Sequence, residues 1–271
     1  LDQAVDDLYA GRKRTNTIVI TIDDGFYSFF SKALPVLVQH AFTATVYVTS
    51  YYVEHPNPIF RLLLQYMFWR TECQGVKLVD LPVASEFLNL KDTKHTKMLM
   101  WELIEYGERK CDEAGRLALC HKLAIVLNIN LNNLISDHVM ELMRPEQLKQ
   151  LKGMGIDVGL HTHRHAFSPS DENLAKKEID DNRKSFERIG VPIVEHFCYP
   201  SGDYIPAQWS WLDQLAVKSS TTCLPGLNSS NTHRHELYRF LDGEDVHDIE
   251  FEAALCGFSD ILRNLKKLKF G

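Results

Sequence analysis

Apolar residues along this chain fall into two rhythms. "LDQAVDDLYA" has apolar positions at Leu1, Val5, Leu8 and Tyr9 ahead of Gly11, a spacing that predicts a short amphipathic helix with its stop signal. "NTIVITIDDGF" then reads as a buried strand running into a loop, "SKALPVLVQHAF" as a helix and "TATVYVTS" as a strand rich in β-branched residues. Strand, helix and strand in this order predict a right-handed parallel unit covered on both faces.

From about 54 to 143 the rhythm changes. "PIFRLLLQYMFW", "TKMLMWELIEYGERKCDEAGRLALCHKLAIVL" and "NLISDHVMELM" are helical in pattern, and "VKLVDLPV" allows one short strand. No Gly/Ser-rich linker flanks this stretch, so it reads as a helical insertion within a single domain, expected to cover or flank the mouth of the fold, where insertions tend to set specificity.

The α/β rhythm then returns. "RPEQLKQLKGMG" predicts a helix with Pro145 in its first turn and an end at Gly153 or Gly155. "IDVGLHTHRHAF" is a strand and histidine-rich loop, "SDENLAKKEIDDNRKSFERIG" a long solvated helix, and "EHFCYPSGDY" a strand ending in a Pro-Gly turn. "AQWSWLDQLA" is helical, "SSTTCLPG" is strand and turn, and "LYRFLDGED" reads as the last strand.

At 271 residues and 45% hydrophobic content the chain can bury one large core. A net charge of −6 argues against a nucleic acid or an anionic membrane as principal partner. The basic "RNLKKLKF" reads as a solvated helix face. Cysteines at 73, 111, 120, 198, 223 and 256 form no CxxC pair and read as reduced thiols, mostly buried. No apolar run approaches the roughly 18 residues of a transmembrane segment. The start at Leu1 has no signal-peptide pattern, and since it is not Met, localisation stays open.

Two short stretches carry candidate chemistry. Asp23 and Asp24 stand where the first strand leaves the core, as an ordinary Asx turn or as part of a metal site. His161 and His165 are four apart just past another strand, as a surface cluster or as two imidazoles converging on one ion. In a parallel α/β fold the strand C-terminal ends share one face, which brings both stretches and the turn after Tyr199 to one mouth. Two imidazoles and a carboxylate suit Zn²⁺ and related ions, and the second carboxylate remains as a candidate base.

With these motifs in their order, the sequence resembles the polysaccharide deacetylases, family four of the carbohydrate esterases. "TIDDG", "HTHRH" and "CYPSGDY" carry the resemblance, over about residues 1 to 53 and 144 to 245. It implies an α/β fold, a distorted parallel (β/α) barrel of about seven strands with a helical insertion. It further implies removal of N-acetyl or another N-acyl group from an amino sugar of a glycan or glycolipid, in a bacterial cell-envelope setting, with one divalent metal ion: zinc first, with cobalt, nickel or manganese able to share the ligands.

Carried over by position, Asp23 is the general base, and Asp24, His161 and His165 are the metal ligands. The backbone N–H of Ser201 faces the oxyanion, in a turn shaped by Pro200 and Gly202. Phe26 and Tyr204 are the expected sugar contacts, while Trp209 and Trp211 are expected in helix core packing. Cys198 stands where the family often has an arginine, and Arg239 either supplies that charge or forms a surface salt bridge. Leu237-Tyr238-Arg239 replaces the family's Leu-x-His motif, leaving His163, His233, His235, His247 and a twice-used Asp23 as proton-donor candidates. The missing arginine and histidine motifs also allow a carbohydrate-binding protein that keeps the fold without turnover. A phosphoryl-transfer enzyme fits less well, because its two acids are usually separated by one residue.

Overall fold

The computed structural model describes residues 1–12 and 17–270, with the side chains of 264 and 266–270 left aside. The chain divides into two compact units, one made of Leu1–Gly25, Phe29–Glu54 and Met143–Gly271, the other of Phe26–Ser28 and His55–Leu142. Among the described residues there are seven strands: β1 Ile20–Ile22, β2 Ala44–Val48, β3 Gly75–Lys77, β4 Phe87–Asn89, β5 Ile156–Leu160, β6 Ile193–Cys198 and β7 Ser219–Thr221.

The first unit is built on a parallel sheet of order β1-β2-β5-β6-β7. β2 is buried at every position, as its run of Ala, Thr, Val, Tyr and Val demands. Beside it, Gly159 of β5 leaves room for the buried Tyr47 ring: a Cβ there would come within 2.7 Å of it. β1 lies at the sheet edge and is only half-buried, with Ile18 and Val19 exposed before it, so the expected buried strand is shorter and wetter than its apolar run suggests.

The fold class is the expected parallel α/β barrel type, with five strands in the sheet where about seven were expected. The difference lies partly in "LYRFLDGED", which does not form a regular strand. Leu237 bridges Thr221 in parallel, its N–H donating to Ser220 O and its carbonyl accepting from Thr222 N–H. The Arg239 N–H then reaches Leu224 O, and the acidic, Gly-containing run that follows is poor strand material.

Helix Glu172–Ile189 begins at an Asp171 cap and ends at Gly190 in the left-handed region. Read as solvated from its sequence, it in fact buries Ala175, Glu178, Ile179, Asn182, Ser185 and Phe186 at helical spacing. Helix Pro145–Leu151 starts at its proline and passes through a short 3₁₀ turn to Gly155 at φ 78°.

The second unit is helical, as its sequence pattern indicates: Phe60–Arg70, Thr93–Lys110, Glu113–Val126 and Leu131–Ser136, with the antiparallel hairpin of β3 and β4. Leu63, Leu64, Met67, Leu88, Leu103 and Leu123 are among its fully buried side chains.

Of the six cysteines, all free, only Cys120 and Cys198 are buried, which corrects the expectation that most are. The 258–270 segment is helical, and the basic face read there rests largely on side chains outside the described set. No described helix is long and apolar enough to cross a membrane.

Candidate active site

The site is assembled at the C-terminal ends of the parallel strands. After β1 the chain turns sharply at Asp24 (φ 67°) and Gly25 (φ 83°). A Cβ on Gly25 would come within 2.8 Å of Val48, so glycine meets both the conformation and the close approach. The bend sends the two neighbouring carboxylates to different partners.

Asp23 meets Arg239 in a paired geometry, Nη1 to Oδ1 at 2.7 Å and Nη2 to Oδ2 at 2.8 Å. Arg239 is itself anchored: its Nε donates to Thr222 O at 2.8 Å, and Nη2 lies 3.3 Å from Cys198 Sγ. The arginine side chain is 10% exposed, so this is a sheltered pair and not a surface salt bridge. Burial pushes the Asp23 carboxyl up, but the guanidinium outweighs it and holds the group below the usual carboxylate range. The charge that the resemblance places at position 198 thus arrives from position 239, while burial pushes the Cys198 thiol well up and keeps it neutral.

Asp24 faces the histidine turn after β5. Its Oδ1 lies 3.2 Å from Nε2 of both His161 and His165, and the three ligand atoms all lie within 4.8 Å of one another. His165 reaches back because Thr162 (φ 64°) and His165 (φ 55°) both adopt left-handed backbone, and the Thr162 hydroxyl accepts from Ala166 N–H. His161 Nδ1 lies 2.8 Å from the Cys198 carbonyl oxygen. A carbonyl can only accept, so Nδ1 carries the proton and Nε2 is the ring atom that faces Asp24. One carboxylate oxygen and two imidazole nitrogens brought together in this way could hold a metal ion, and the donor set suits a divalent ion of the zinc kind. Burial raises the Asp24 carboxyl, and the two imidazoles more than offset it, leaving it well below the usual range.

The turn after β6 follows the expected outline. Pro200 is buried, Ser201 adopts φ 59° and is exposed, and Gly202 follows at φ 74°. Gly202 N–H donates to Tyr199 O and Asp203 N–H to Pro200 O. Tyr204 stacks on Tyr199 with centroids 5.0 Å apart and directs its hydroxyl to Glu236. Phe26 is half-buried and bridges Leu142 in the second unit. Trp209 and Trp211 are half-buried and not core residues; Trp209 stacks on the His233 ring at 3.8 Å.

The proton-donor candidates separate. His235 is buried with both ring nitrogens engaged, Nδ1 by Ser220 Oγ and Nε2 by Asp213, each at 3.0 Å. His163 Nδ1 is engaged by Ser50 Oγ at 2.8 Å. His247 is exposed at the start of helix Asp248–Leu255. Sequence reasoning missed Asn182 and Ser50, which support the histidine turn from below. Neither belongs to a motif, and a mid-helix asparagine in a polar run carries no signal of burial.

Residues 122–219 match the family model of the polysaccharide deacetylases, a span that includes His161, His165 and the Pro200–Gly202 turn but not Asp23, Asp24 or Arg239. No curated protein matches the chain. Among solved structures, the chain is similar to the Streptococcus pyogenes deacetylase PplD in complex with acetate, at 14% identity and a TM-score of 0.57, over 94% of this chain and 77% of that one. It is also similar to the de-N-acetylase from Aggregatibacter actinomycetemcomitans, at 12% identity and a TM-score of 0.54, over 93% and 80%. IcaB from Ammonifex degensii aligns at 16% identity and a TM-score of 0.53, over 93% and 79%. The resemblance carried by the three motifs therefore holds on two further counts, the family match and the shared fold, and the family it points to is that of the polysaccharide deacetylases.

Proposed function

We propose that this protein is a metal-dependent hydrolase that removes the N-acetyl group, or another small N-acyl group, from an amino sugar of a glycan or glycolipid precursor. The observation that carries the reading is the divergence of adjacent carboxylates at one strand end: Asp23 is gripped by Arg239, and Asp24 faces two imidazoles. Asp24, His161 and His165 would hold a divalent ion, zinc before cobalt, nickel or manganese. Such an ion supplies Lewis acidity toward a water and an acyl carbonyl.

Asp23 takes the proton of the attacking water. Its paired bonds to Arg239 keep it ionised and aimed, and a carboxylate of such low pKa is a weak base toward bulk water, which is why the reading needs a cation beside it. The Ser201 N–H faces the developing oxyanion: with Gly202 and Asp203 committed to Tyr199 O and Pro200 O, it is the donor the turn leaves over. The amide C–N bond then breaks, the acyl group leaves as a carboxylic acid, and the amine takes up the proton. Since His235 and His163 are bound into the protein, Asp23 returning its proton is the simplest donor. Pro200 shapes the turn, and Tyr204 offers an aromatic face to a sugar.

The test is acetate release from N-acetylglucosamine oligomers by the purified protein, by chelator-treated protein, and by treated protein re-supplied with Zn²⁺ or Co²⁺. Release that is lost on chelation and restored by metal supports the reading. Release indifferent to chelation, or absent with every metal and acyl group tried, contradicts it.

A further inference from the structure

The parallel ladder between β2 and β5 ends where Val48 stands opposite Leu160. The next residue on the β5 side is His161. At this point a side chain takes over from the ladder. Asn182, from the buried stripe of helix Glu172–Ile189, has no exposed surface. Its Oδ1 accepts the His161 backbone N–H at 3.1 Å, and its Nδ2 donates to Val48 O at 3.2 Å and to Ser50 Oγ at 2.8 Å. Turning the amide over would set donor against donor at His161 and acceptor against acceptor at Val48, so only one orientation satisfies the pocket. Ser50, accepting from Asn182, has its own proton free for His163 Nδ1 at 2.8 Å, which extends the network to a second residue of the turn.

We infer that Asn182 is a positioning residue for the metal set: it clips the end of β2 to the end of β5 and so fixes the backbone from which the His161 imidazole projects. His161 is then held twice, its backbone by Asn182 and its ring by the Cys198 carbonyl. The inference rests on the metal-dependent reading above, and adds a residue outside the three motifs. Groups that orient metal-ligating histidines contribute about 10–100-fold to metal affinity, and a backbone support of this kind belongs in that range.

The experiment compares Zn²⁺ affinity, by competition with a chromophoric chelator on the metal-free protein, for the wild type, Asn182→Leu and Phe186→Leu. Phe186 is fully buried on the same stripe and makes none of the clip's hydrogen bonds, so its truncation serves as the control for lost stability. Asn182→Leu is expected to weaken zinc binding about 10–100-fold, with Phe186→Leu unchanged at a comparable loss of Tm. Ser50→Ala, which removes one partner of the clip, is expected to lose a few-fold. If Asn182→Leu does not fold, Asn182→Ser is read against the same control. Unaltered affinity in the Asn182 variant, or an equal loss in Phe186→Leu, overturns the inference and leaves the proposed function standing. A wild type that binds no zinc overturns both.

Discussion

The two units bury different kinds of residue. In the helical unit the interior is mostly leucine, joined by Phe60, Met67, Val76, Ile104, Cys120 and Ala124, and among the described residues its one buried charged or polar side chain is Glu141, which meets His138 at 2.8 Å. The sheet-bearing unit buries Ser50, His161, Asn182, Ser219, Ser220 and His235, among others. A buried polar group costs about 1–3 kcal/mol when left unbonded, so each of these needs a partner in a fixed direction. A parallel sheet is usually filled with aliphatic residues; this one pays in polarity near its strand ends, where side chains must be aimed.

The contrast can be broken most forcefully at the histidine turn. Asp24→Asn or His161→Ala is expected to lower metal affinity by more than about 100-fold and to bring acetate release to background, read by elemental analysis and assay of the same samples. Leu103→Ala in the helical unit is the complementary change: it should cost about 2–5 kcal/mol in denaturant unfolding while metal affinity stays at the wild-type value. A drop in affinity there would show that the separation of roles is wrong.

Arg239→Ala comes next. It leaves Asp23 charged and half-buried without its guanidinium, with an expected loss of about 2–3 kcal/mol and a fall in turnover with metal retained. Arg239→Lys should recover little, because an ammonium cannot make the paired contact.

The smallest effect is on pH. Burial holds His196 and His235 below the ordinary histidine range, against the opposing pull of Asp2 and Asp213 respectively; Lys218 stands near the first, His233 and Arg234 near the second. The folded state keeps both rings neutral while the unfolded chain takes up protons below about pH 6.5. Their contribution is therefore present above that pH and lost as pH falls below it. His235→Asn should flatten the decline of Tm between about pH 6.5 and 5, and an unchanged slope would show that this ring does not set it.

Much of the site was legible because its chemistry sits in short motifs at strand ends. "TIDDG", "HTHRH" and "YPSG" each follow an apolar run, and parallel topology brings them together. Arg239 was legible only as one of two options, since nothing local in "LYRF" tells a side chain turned inward from one in solvent. The helix carrying Asn182 was misread because half its buried stripe is polar, so its periodicity looks like a solvated surface. The missing last strand follows from the same limit: Tyr238 and Phe240 beside two leucines suggest pairing, but register with β7 is decided by contacts far along the chain.

The central claim is that two adjacent aspartates divide the work, Asp23 moving a proton and Asp24 holding an ion. The most direct measurement is bound zinc and acetate release for Asp23→Asn and Asp24→Asn side by side. The account predicts that Asp23→Asn keeps about one equivalent of metal and loses about 10²–10⁴-fold in turnover, while Asp24→Asn loses the metal as well. Near-normal turnover in Asp23→Asn, or full metal retention in Asp24→Asn, would contradict it.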